Sequence, residues 1–415
     1  MLPSAPTRRL AVLLTHQHRG DDHEVRTAVS AGGAPFKIVF MEPGGVLSGG
    51  RVQLAANHVK LAYAEKVSVA VVDSEGEDAK RELADADACY GTLTPELLAA
   101  APRLRWCQCP MAAPPEEYFF KELAESPVVV TNMRGIYDQE LSVHIITLML
   151  AVNRQLGDYR DQQKQRKYNQ LTFNRGEFRE AASLSPEDNR VDISTATALL
   201  VGVGNAGGET ARLCKAFGMT TLGCDARRTE PHPYIDELYG AEALDELLPR
   251  ADFVLVTVPH TPATEGMFDE GKFALMKSTG VFVNVGRGAT TKLHDLDNAL
   301  RQGTIGGAAV DVFEVEPLPK DHPICESAID PIFRTPSTLF TTYGKCAQWL
   351  WSLATRCHAS AGPGGAPNFL MTPHVAIQGN PDKTTMGHVQ VVVDNVGLAI
   401  EGKPLRNVVD KVTRF

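Results

Sequence analysis

Three side chains in the C-terminal half of the chain, Arg287, Glu316 and His374, are of the types that proton transfer on an acidic substrate requires. An imidazole exchanges protons near neutral pH, and a guanidinium holds a carboxylate through two parallel hydrogen bonds. A carboxylate beside the imidazole would orient the ring and raise its pKa. A single histidine at a strand end is more often structural, so the hypothesis depends on the three residues together.

A glycine-rich sequence upstream of these residues, Gly202-x-Gly204-x-x-Gly207, predicts a dinucleotide site. It follows a short apolar run and precedes a helical pattern, and a second apolar run ends at Asp225. Gly202 allows a tight turn, Gly204 lets the backbone approach a pyrophosphate, and Gly207 lets the helix pack closely on the strand. The helix N-terminus offers free N–H groups to phosphate. The sequence GxGxxG alone is weak evidence, and its place between a strand and a helix makes the prediction specific.

The choice between NAD and NADP depends on the residues that follow the second strand. Asp225 lies 18 positions beyond Gly207, where a carboxylate can accept hydrogen bonds from a ribose and repel a 2′-phosphate. Arg227 and Arg228 follow at once and could bind that phosphate. We therefore expect NAD, with NADP as an open alternative.

Composition sets limits on the class of protein. The chain has 415 residues, of which 43% are hydrophobic, and this is enough for two or three domains with hydrophobic cores. Its net charge is −9. It has no basic run that favours nucleic acid or an anionic membrane surface, and no apolar stretch long enough to span a bilayer. Eight scattered cysteines without a CxxC motif predict reduced thiols and a cytoplasmic protein. Arginines near the N-terminus leave organelle import open.

A histidine-rich loop near the N-terminus is a second possible site. His16, His18 and His23 lie close to Asp21 and Asp22, and imidazole and carboxylate groups can bind zinc. A polar loop that leaves a strand is more often simply solvated, so we expect no metal.

Hydrophobic patterns predict a chain of alternating strands and helices. In the N-terminal part, strands are predicted at 10–15, 37–41, 67–72, 104–109 and 128–131, and helices at 77–86 and 95–101. A long helix is predicted over 139–167; its first half is apolar on nearly every face, so it should be buried between domains or subunits. Residues 169–192 and 331–367 lack periodicity and are predicted to be insertions. A final helix is predicted at 384–400.

From about residue 93 to the C-terminus, the chain resembles the D-isomer-specific 2-hydroxyacid dehydrogenases. The matching stretches are Ala216-Phe-Gly-Met219, Pro259-His-Thr-Pro262, Asn284-Val-Gly-Arg-Gly288, Asp311-Val-Phe-Glu-Val-Glu-Pro317, Thr372-Pro-His-Val375 and Pro404-Leu-Arg-Asn-Val-Val409. The resemblance implies an α/β fold in which a Rossmann domain (136–377) is inserted into a flavodoxin-like substrate domain (1–135 and 378–415). It also implies a homodimer, with the apolar helix near the interface.

The resemblance also implies a reaction and a site. The reaction is hydride transfer between NAD(P) and a 2-oxo acid or D-2-hydroxy acid such as glyoxylate or hydroxypyruvate. Arg287 would bind the substrate carboxylate, His374 would exchange the proton, and Glu316 would pair with His374. The implied cofactor-binding residues are Gly202, Gly204, Asn205, Ala206, Gly207, Asp225, Val258, Pro259, Thr264, Val285, Gly286, Arg287, Asp311 and His374.

Substrate choice should depend on loops near Tyr90 and Met111. In this family a glycine-containing loop after the strand at 104–109 binds the substrate carboxylate, whereas this chain has Pro110-Met-Ala-Ala-Pro-Pro-Glu116. That departure supports an alternative function, a non-catalytic NAD(H)-binding regulatory protein of the same fold. The set formed by Arg287, Glu316 and His374 favours the enzyme.

Overall fold

The computed structural model describes residues 35–42, 50–74, 76–168, 191–324, 368–378 and 381–411. The strand predicted at 10–15, the histidine-rich loop and the insertion at 331–367 lie outside these residues. So does the insertion at 169–192, apart from its last two residues.

The first sheet has five parallel strands in the order β2-β1-β3-β4-β5. Its strands are β1 (Phe36–Glu42), β2 (Val67–Asp73), β3 (Ala88–Tyr90), β4 (Trp106–Gln108) and β5 (Val129–Thr131). Its helices are α1 (Arg51–Tyr63), α2 (Glu77–Leu83), α3 (Pro95–Ala99) and α4 (Lys121–Glu125). This strand order is that of the flavodoxin-like fold. Helix α3 begins where the sequence predicts, because Thr94 Oγ1 accepts a hydrogen bond of 3.3 Å from the Leu97 N–H.

The second sheet has seven parallel strands in the order β12-β11-β10-β9-β6-β7-β8. Its strands are β6 (Thr197–Val201), β7 (Thr220–Cys224), β8 (Glu237–Tyr239), β9 (Phe253–Val256), β10 (Val281–Asn284), β11 (Gly307–Val310) and β12 (Phe369–Met371). The helices that follow α4 are α5 (Asp138–Asn153), α6 (Leu156–Lys164), α7 (Asn205–Ala216), α8 (Leu244–Leu247), α9 (Glu270–Leu275), α10 (Leu293–Arg301) and α11 (Pro381–Ile400). The reversal of strand order at β6 is that of a Rossmann fold. The predicted α/β class is confirmed.

The long helix predicted over 139–167 is in fact two helices, α5 and α6. Gln155 has a φ of 52°, a left-handed conformation that cannot continue an α-helix. Within a single chain α5 is buried on one face only, and its burial between subunits stays a prediction. The helix packs against β10, β11 and α7 through one face, and Val143 on another face remains 57% exposed.

Helix α1 is not among the predicted elements, although the sequence contains a signal for it. Val52, Ala55, Ala56 and Val59 are buried at the spacing of one helical face. All four are small or β-branched, and glycines precede the segment, so the pattern is weak by itself. The helix forms because this face packs on the five-stranded sheet and against α11.

The chain passes between the sheets twice, and both times it leaves the carboxyl end of a strand. It runs from the end of β5 into α5, and from the end of β12 into α11. The two connections are held together by Lys383 Nζ, which lies 3.1 Å from Glu140 Oε1. The carboxyl edges of both sheets therefore face one crevice, where ligands bind in open α/β folds. Among the helices of the described ranges, none combines the length and apolar character of a membrane span.

Candidate active site

The glycine-rich turn after β6 has the close packing that a dinucleotide site needs. Gly202 has a φ of 96°, and a β-carbon there would lie 2.9 Å from Thr257 Oγ1. A β-carbon on Gly207 would lie 2.0 Å from the Gly202 carbonyl oxygen, so only glycine lets α7 approach the strand this closely. A β-carbon on Gly204 would meet nothing within 4 Å, which leaves open space in front of the helix.

That open space fits the phosphates of a nucleotide. Helix α7 begins at Asn205, and no side chain caps its N-terminus. Asn205 and Ala206 are therefore in a first turn whose N–H groups can bind an anion. The residues present fit the cofactor that the sequence predicts.

Asp225 lies beside this turn, as predicted, but its carboxylate already has three backbone partners. Oδ2 accepts a hydrogen bond of 2.7 Å from the Val203 N–H, and Oδ1 accepts bonds of 2.9 Å from the N–H groups of Arg227 and Arg228. The Arg228 Nε–H donates to the Val203 carbonyl oxygen at 2.9 Å. A cation is thus fixed next to the carboxylate, directly after the end of β7.

The loops that follow β9 and β10 are held against the glycine-rich turn. Thr264 Oγ1 donates to the Pro259 carbonyl oxygen at 2.7 Å and closes the loop after β9. A β-carbon on Gly286 would lie 2.6 Å from the Val258 carbonyl oxygen, so the two loops are in contact. Val285 is buried beneath them. The predicted cofactor residues of these loops therefore line one continuous edge of the sheet.

Arg287 is positioned by Asn284, the last residue of β10. Asn284 Oδ1 accepts a hydrogen bond of 2.9 Å from the Gly286 N–H, and its Nδ2 donates to the Arg287 carbonyl oxygen at 3.2 Å. The guanidinium Nη1 donates to the Gly286 carbonyl oxygen at 2.7 Å. Burial lowers the pKa of Arg287, and the charge of Glu316 partly opposes that effect. Sequence reasoning missed Asn284 as a positioning residue, although it begins the Asn-Val-Gly-Arg-Gly motif.

Gly288 brings the Arg287 loop against the loop that carries Glu316. A β-carbon on Gly288 would lie 1.9 Å from the carbonyl carbon and oxygen of Phe313, so the two backbones touch. Glu316 Oε1 accepts a hydrogen bond of 3.0 Å from the Phe313 N–H, which fixes the carboxylate.

His374 lies in a turn that Asp311 holds. The His374 N–H donates to the Asp311 carbonyl oxygen at 2.8 Å, and the residue has a φ of 53°. The fully buried carboxylate of Asp311 accepts hydrogen bonds of 2.9 Å from the N–H groups of Val375 and Ala376, and one of 2.5 Å from Thr372 Oγ1. These contacts differ from the cofactor contact that the sequence predicts for Asp311, since they serve the turn.

His144 extends this network from helix α5 and was also missed. Its Nε2 lies 3.0 Å from Thr372 Oγ1, whose hydroxyl hydrogen is directed to Asp311. His144 Nε2–H is therefore the donor. The sequence feature that could have pointed to His144 is its position as a polar residue within an apolar helix.

The structure brings Arg287, Glu316 and His374 together. His374 Nδ1 lies 2.7 Å from Glu316 Oε2, with 43% and 35% of the two side chains exposed. The Glu316 hydrogen bond raises the pKa of His374 and outweighs burial. Burial acts to raise the pKa of Glu316, but the hydrogen bond and charge of His374 bring the net direction downward. The charged pair is thus favoured, and Nε2 of the ring is left to exchange a proton.

Tyr90 and Met111, the two substrate-loop candidates, lie on the other sheet. Tyr90 ends β3, is buried, and stacks on Phe40 with 5.5 Å between ring centroids. Met111 follows β4, and its N–H donates to Cys109 Sγ at 3.4 Å. Within the described part of the chain, no group of three or more potential ligands could hold a metal ion.

Comparison with known proteins gives consistent matches. Residues 146–338 match the family model for the D-isomer specific 2-hydroxyacid dehydrogenase NAD binding domain. A glyoxylate reductase from Korarchaeum cryptofilum is 31% identical over 246 residues, which are 58% of this chain and 70% of that protein.

Two solved structures are similar over most of the chain. A D-isomer specific 2-hydroxyacid dehydrogenase family protein from Aeromonas salmonicida is 25% identical, with a TM-score of 0.64 over 91% of this chain and 99% of that one. An NADPH-dependent glyoxylate/hydroxypyruvate reductase from Sinorhizobium meliloti, in complex with NADP and sulfate, is 22% identical, with a TM-score of 0.63 over 91% of this chain and 100% of that one.

Proposed function

The chain belongs to the D-isomer-specific 2-hydroxyacid dehydrogenase family, and we propose that it reduces a 2-oxo acid to a D-2-hydroxy acid, and catalyses the reverse oxidation, with NAD or NADP. The observation that carries this proposal is the charged His374–Glu316 pair within electrostatic reach of the half-buried Arg287. Glyoxylate and hydroxypyruvate are the first substrates to test, because reductases of these acids are among the relatives.

Each of the three side chains has a distinct task in the proposed reaction. The Arg287 guanidinium binds the substrate carboxylate and polarises the keto oxygen. The glycine-rich turn from Gly202 to Gly207 would hold NAD(P)H, which would supply the hydride for the new C–H bond at C2. The electron pair of the broken C=O π bond moves to the keto oxygen, which takes a proton from Nε2 of the His374 imidazolium. Glu316 holds the ring and stabilises its charged form.

The domain division and the assembly belong to the same proposal. We assign residues 1–135 and 378–415 to the substrate domain and 136–377 to the cofactor domain, and the presence of two separate sheets supports this division. The protein is a homodimer that uses the outer face of α5, where the apolar side chain of Val143 is 57% exposed. A cytoplasmic location is supported by the five cysteines of the described ranges, all of which are buried free thiols.

A screen of 2-oxo acids against NADH and NADPH tests this function. Loss of the absorbance of the reduced nicotinamide should follow addition of at least one 2-oxo acid, and the product should be the D-2-hydroxy acid. The His374→Ala variant should turn the same substrate over about 10²–10⁴ times more slowly, because a positioned proton donor contributes that much. Binding of NADH without turnover of any 2-oxo acid would instead support the regulatory alternative.

A further inference from the structure

Arg51, the first residue of helix α1, has a buried guanidinium atom that lacks a partner. Its Nε atom is fully buried, and no residue of the described ranges accepts a hydrogen bond from it. Arg51 also forms no ion pair with any described residue. A buried charged donor without an acceptor is unfavourable, so such a group is expected to meet an anion that comes from outside the chain.

Two neighbours of Arg51, Tyr90 and His388, are polar and uncharged. Its positive charge acts on Tyr90, the last residue of β3, and on His388 in α11, lowering the pKa of each. Burial nevertheless raises the pKa of Tyr90 to about 12, so its hydroxyl stays protonated. Burial is the main cause that lowers the pKa of His388 to about 4, so its ring stays uncharged. Arg51 therefore provides the positive charge of this group.

Tyr90 provides a second unused donor. Tyr90 is buried, with 4% of its surface exposed, and its hydroxyl makes no hydrogen bond with any residue of the described ranges. His388, by contrast, is fully engaged, with Nδ1 3.0 Å from the Thr384 carbonyl oxygen and Nε2 3.4 Å from the Tyr137 hydroxyl. The free hydrogen-bonding capacity thus belongs to Arg51 and Tyr90 together.

Both residues lie at the crevice between the sheets. Arg51 follows the carboxyl end of β1, and Tyr90 is the carboxyl end of β3. Tyr137, which contacts His388, is the residue immediately before α5, on the connection to the other sheet. The carboxyl edge of that other sheet carries Arg287 and His374. Arg51 and Arg287 therefore lie on opposite walls of the crevice.

Pro110 and Met111 in the loop after β4 do not offer a free N–H group to an anion. Pro110 has no N–H group, and the Met111 N–H is directed to Cys109 Sγ at 3.4 Å. On this wall Arg51 and Tyr90 each offer a side-chain donor.

We propose that Arg51 and Tyr90 form a subsite for a second anionic group of the substrate, a carboxylate or a phosphate, while Arg287 binds the carboxylate next to the keto carbon. This inference rests on the proposed function. The preferred substrate is then a dicarboxylic or phosphorylated 2-oxo acid, and glyoxylate is a poor one.

The test compares kcat/KM for acids with one and two anionic groups. Glyoxylate and pyruvate represent the first group, 2-oxoglutarate and oxaloacetate represent dicarboxylates, and 3-phosphohydroxypyruvate represents phosphates. The wild type should favour one of the last two kinds, which identifies the anion. Arg51→Gln should lower kcat/KM for that substrate about 10- to 150-fold, the range for a charged hydrogen bond, and change the value for glyoxylate little. Arg51→Lys should restore part of the loss.

Tyr90→Phe and a distant control complete the set. Tyr90→Phe should lower kcat/KM for the same substrate about 2- to 12-fold, as loss of a neutral hydrogen bond does. Arg81→Gln removes an exposed arginine from α2 and should change nothing. The melting temperature of Arg51→Gln without ligand should equal or exceed that of the wild type, because the variant removes an unpaired buried donor.

Two results would overturn the subsite. One is a wild type that reduces glyoxylate as well as the acids with two anionic groups, and the other is an Arg51→Gln variant that loses activity equally with all of them. The melting temperature of the protein with each acid distinguishes failure of the subsite from failure of the proposed function. If no 2-oxo acid is turned over, but an acid with two anionic groups stabilises the wild type and not Arg51→Gln, the subsite stands and the reaction is wrong.

Discussion

His374 Nδ1 lies 2.7 Å from Oε2 of Glu316, although 58 positions separate the two residues in the sequence. The pKa of His374 is raised and the pKa of Glu316 is lowered, so both directions favour the charged pair. In the proposed reaction, reduction needs His374 charged and oxidation needs it neutral. The contact therefore sets the pH range in which each direction is fast.

The first prediction concerns this pH dependence. Reduction by the wild type should decline as the pH rises through the raised pKa of His374, which lies above 6.5. Glu316→Gln removes the main cause of the raised pKa, so the decline should move to lower pH. Profiles of kcat/KM against pH for both enzymes measure the shift. Glu265→Gln, at a carboxylate that is 71% exposed, should leave the profile unchanged. Identical profiles for the wild type and Glu316→Gln would mean that Glu316 does not influence the pKa of His374.

The second prediction concerns the guanidinium on the Rossmann side. Arg287→Lys keeps a positive charge but cannot reproduce the two parallel hydrogen bonds to a carboxylate. We expect kcat/KM for the preferred 2-oxo acid to fall about 100-fold or more, since an electrostatic donor to a developing oxyanion contributes that much. The dissociation constant of NADH, measured by fluorescence titration, should change little. Wild-type kinetics in Arg287→Lys would mean that a point charge is sufficient there.

The third prediction concerns Gly288, where the loops that carry Arg287 and Glu316 touch. Gly288→Ala would place a β-carbon 1.9 Å from the Phe313 backbone, so one loop must move. We expect a loss of about 3 kcal/mol or more in the free energy of unfolding, at the upper end for an overpacked site. Urea unfolding measures it. Gly76→Ala is the matched control, because the nearest atom there is 3.5 Å away. Equal stability of the two variants would contradict the close approach.

The fourth prediction concerns the choice of cofactor at Asp225. Asp225→Ser removes the negative charge next to the anchored Arg228, so binding of a 2′-phosphate is no longer opposed. The dissociation constant of NADH should rise, and the ratio of the NADPH constant to the NADH constant should fall. Fluorescence titration with both cofactors gives the ratio. If both constants stay at their wild-type values, Asp225 lies outside the cofactor site.

The fifth prediction concerns acid stability at His388. Because burial lowers its pKa from 6.5 to about 4 in the folded protein, the unfolded chain binds a proton that the folded chain does not between these values. The stability contribution is present above pH 6.5 and is lost as the pH falls towards 4. Between pH 6.5 and 4.5 the free energy of unfolding of His388→Gln should therefore fall by about 2–3 kcal/mol less than that of the wild type. A pKa difference of one unit corresponds to about 1.4 kcal/mol. Urea unfolding at the two pH values measures this difference. Parallel losses in both proteins would show that His388 titrates normally.

Much of the fold follows from local features of the sequence. Gly202 and Gly207 predict the turn after β6, because their backbone positions exclude a side chain. Apolar runs predict the strands around them. Arg287, Glu316 and His374 can be recognised as a possible site because their types suit one chemistry. Helix α3 can be placed from Thr94 and Pro95 alone, since capping depends on neighbours in the chain.

Other features depend on contacts between distant residues. The break at Gln155 and the exposure of Val143 depend on how α5 meets the seven-stranded sheet, which no local pattern contains. Asp311 supports the His374 turn because β11 and β12 are neighbours. Arg51 Nε has no hydrogen-bond partner among the described residues because of what surrounds it after folding. The sequence by itself determined which chemical groups and local turns this protein has. The tertiary structure alone decided which groups meet and which remain unpaired, because burial and hydrogen bonding depend on the whole path of the chain.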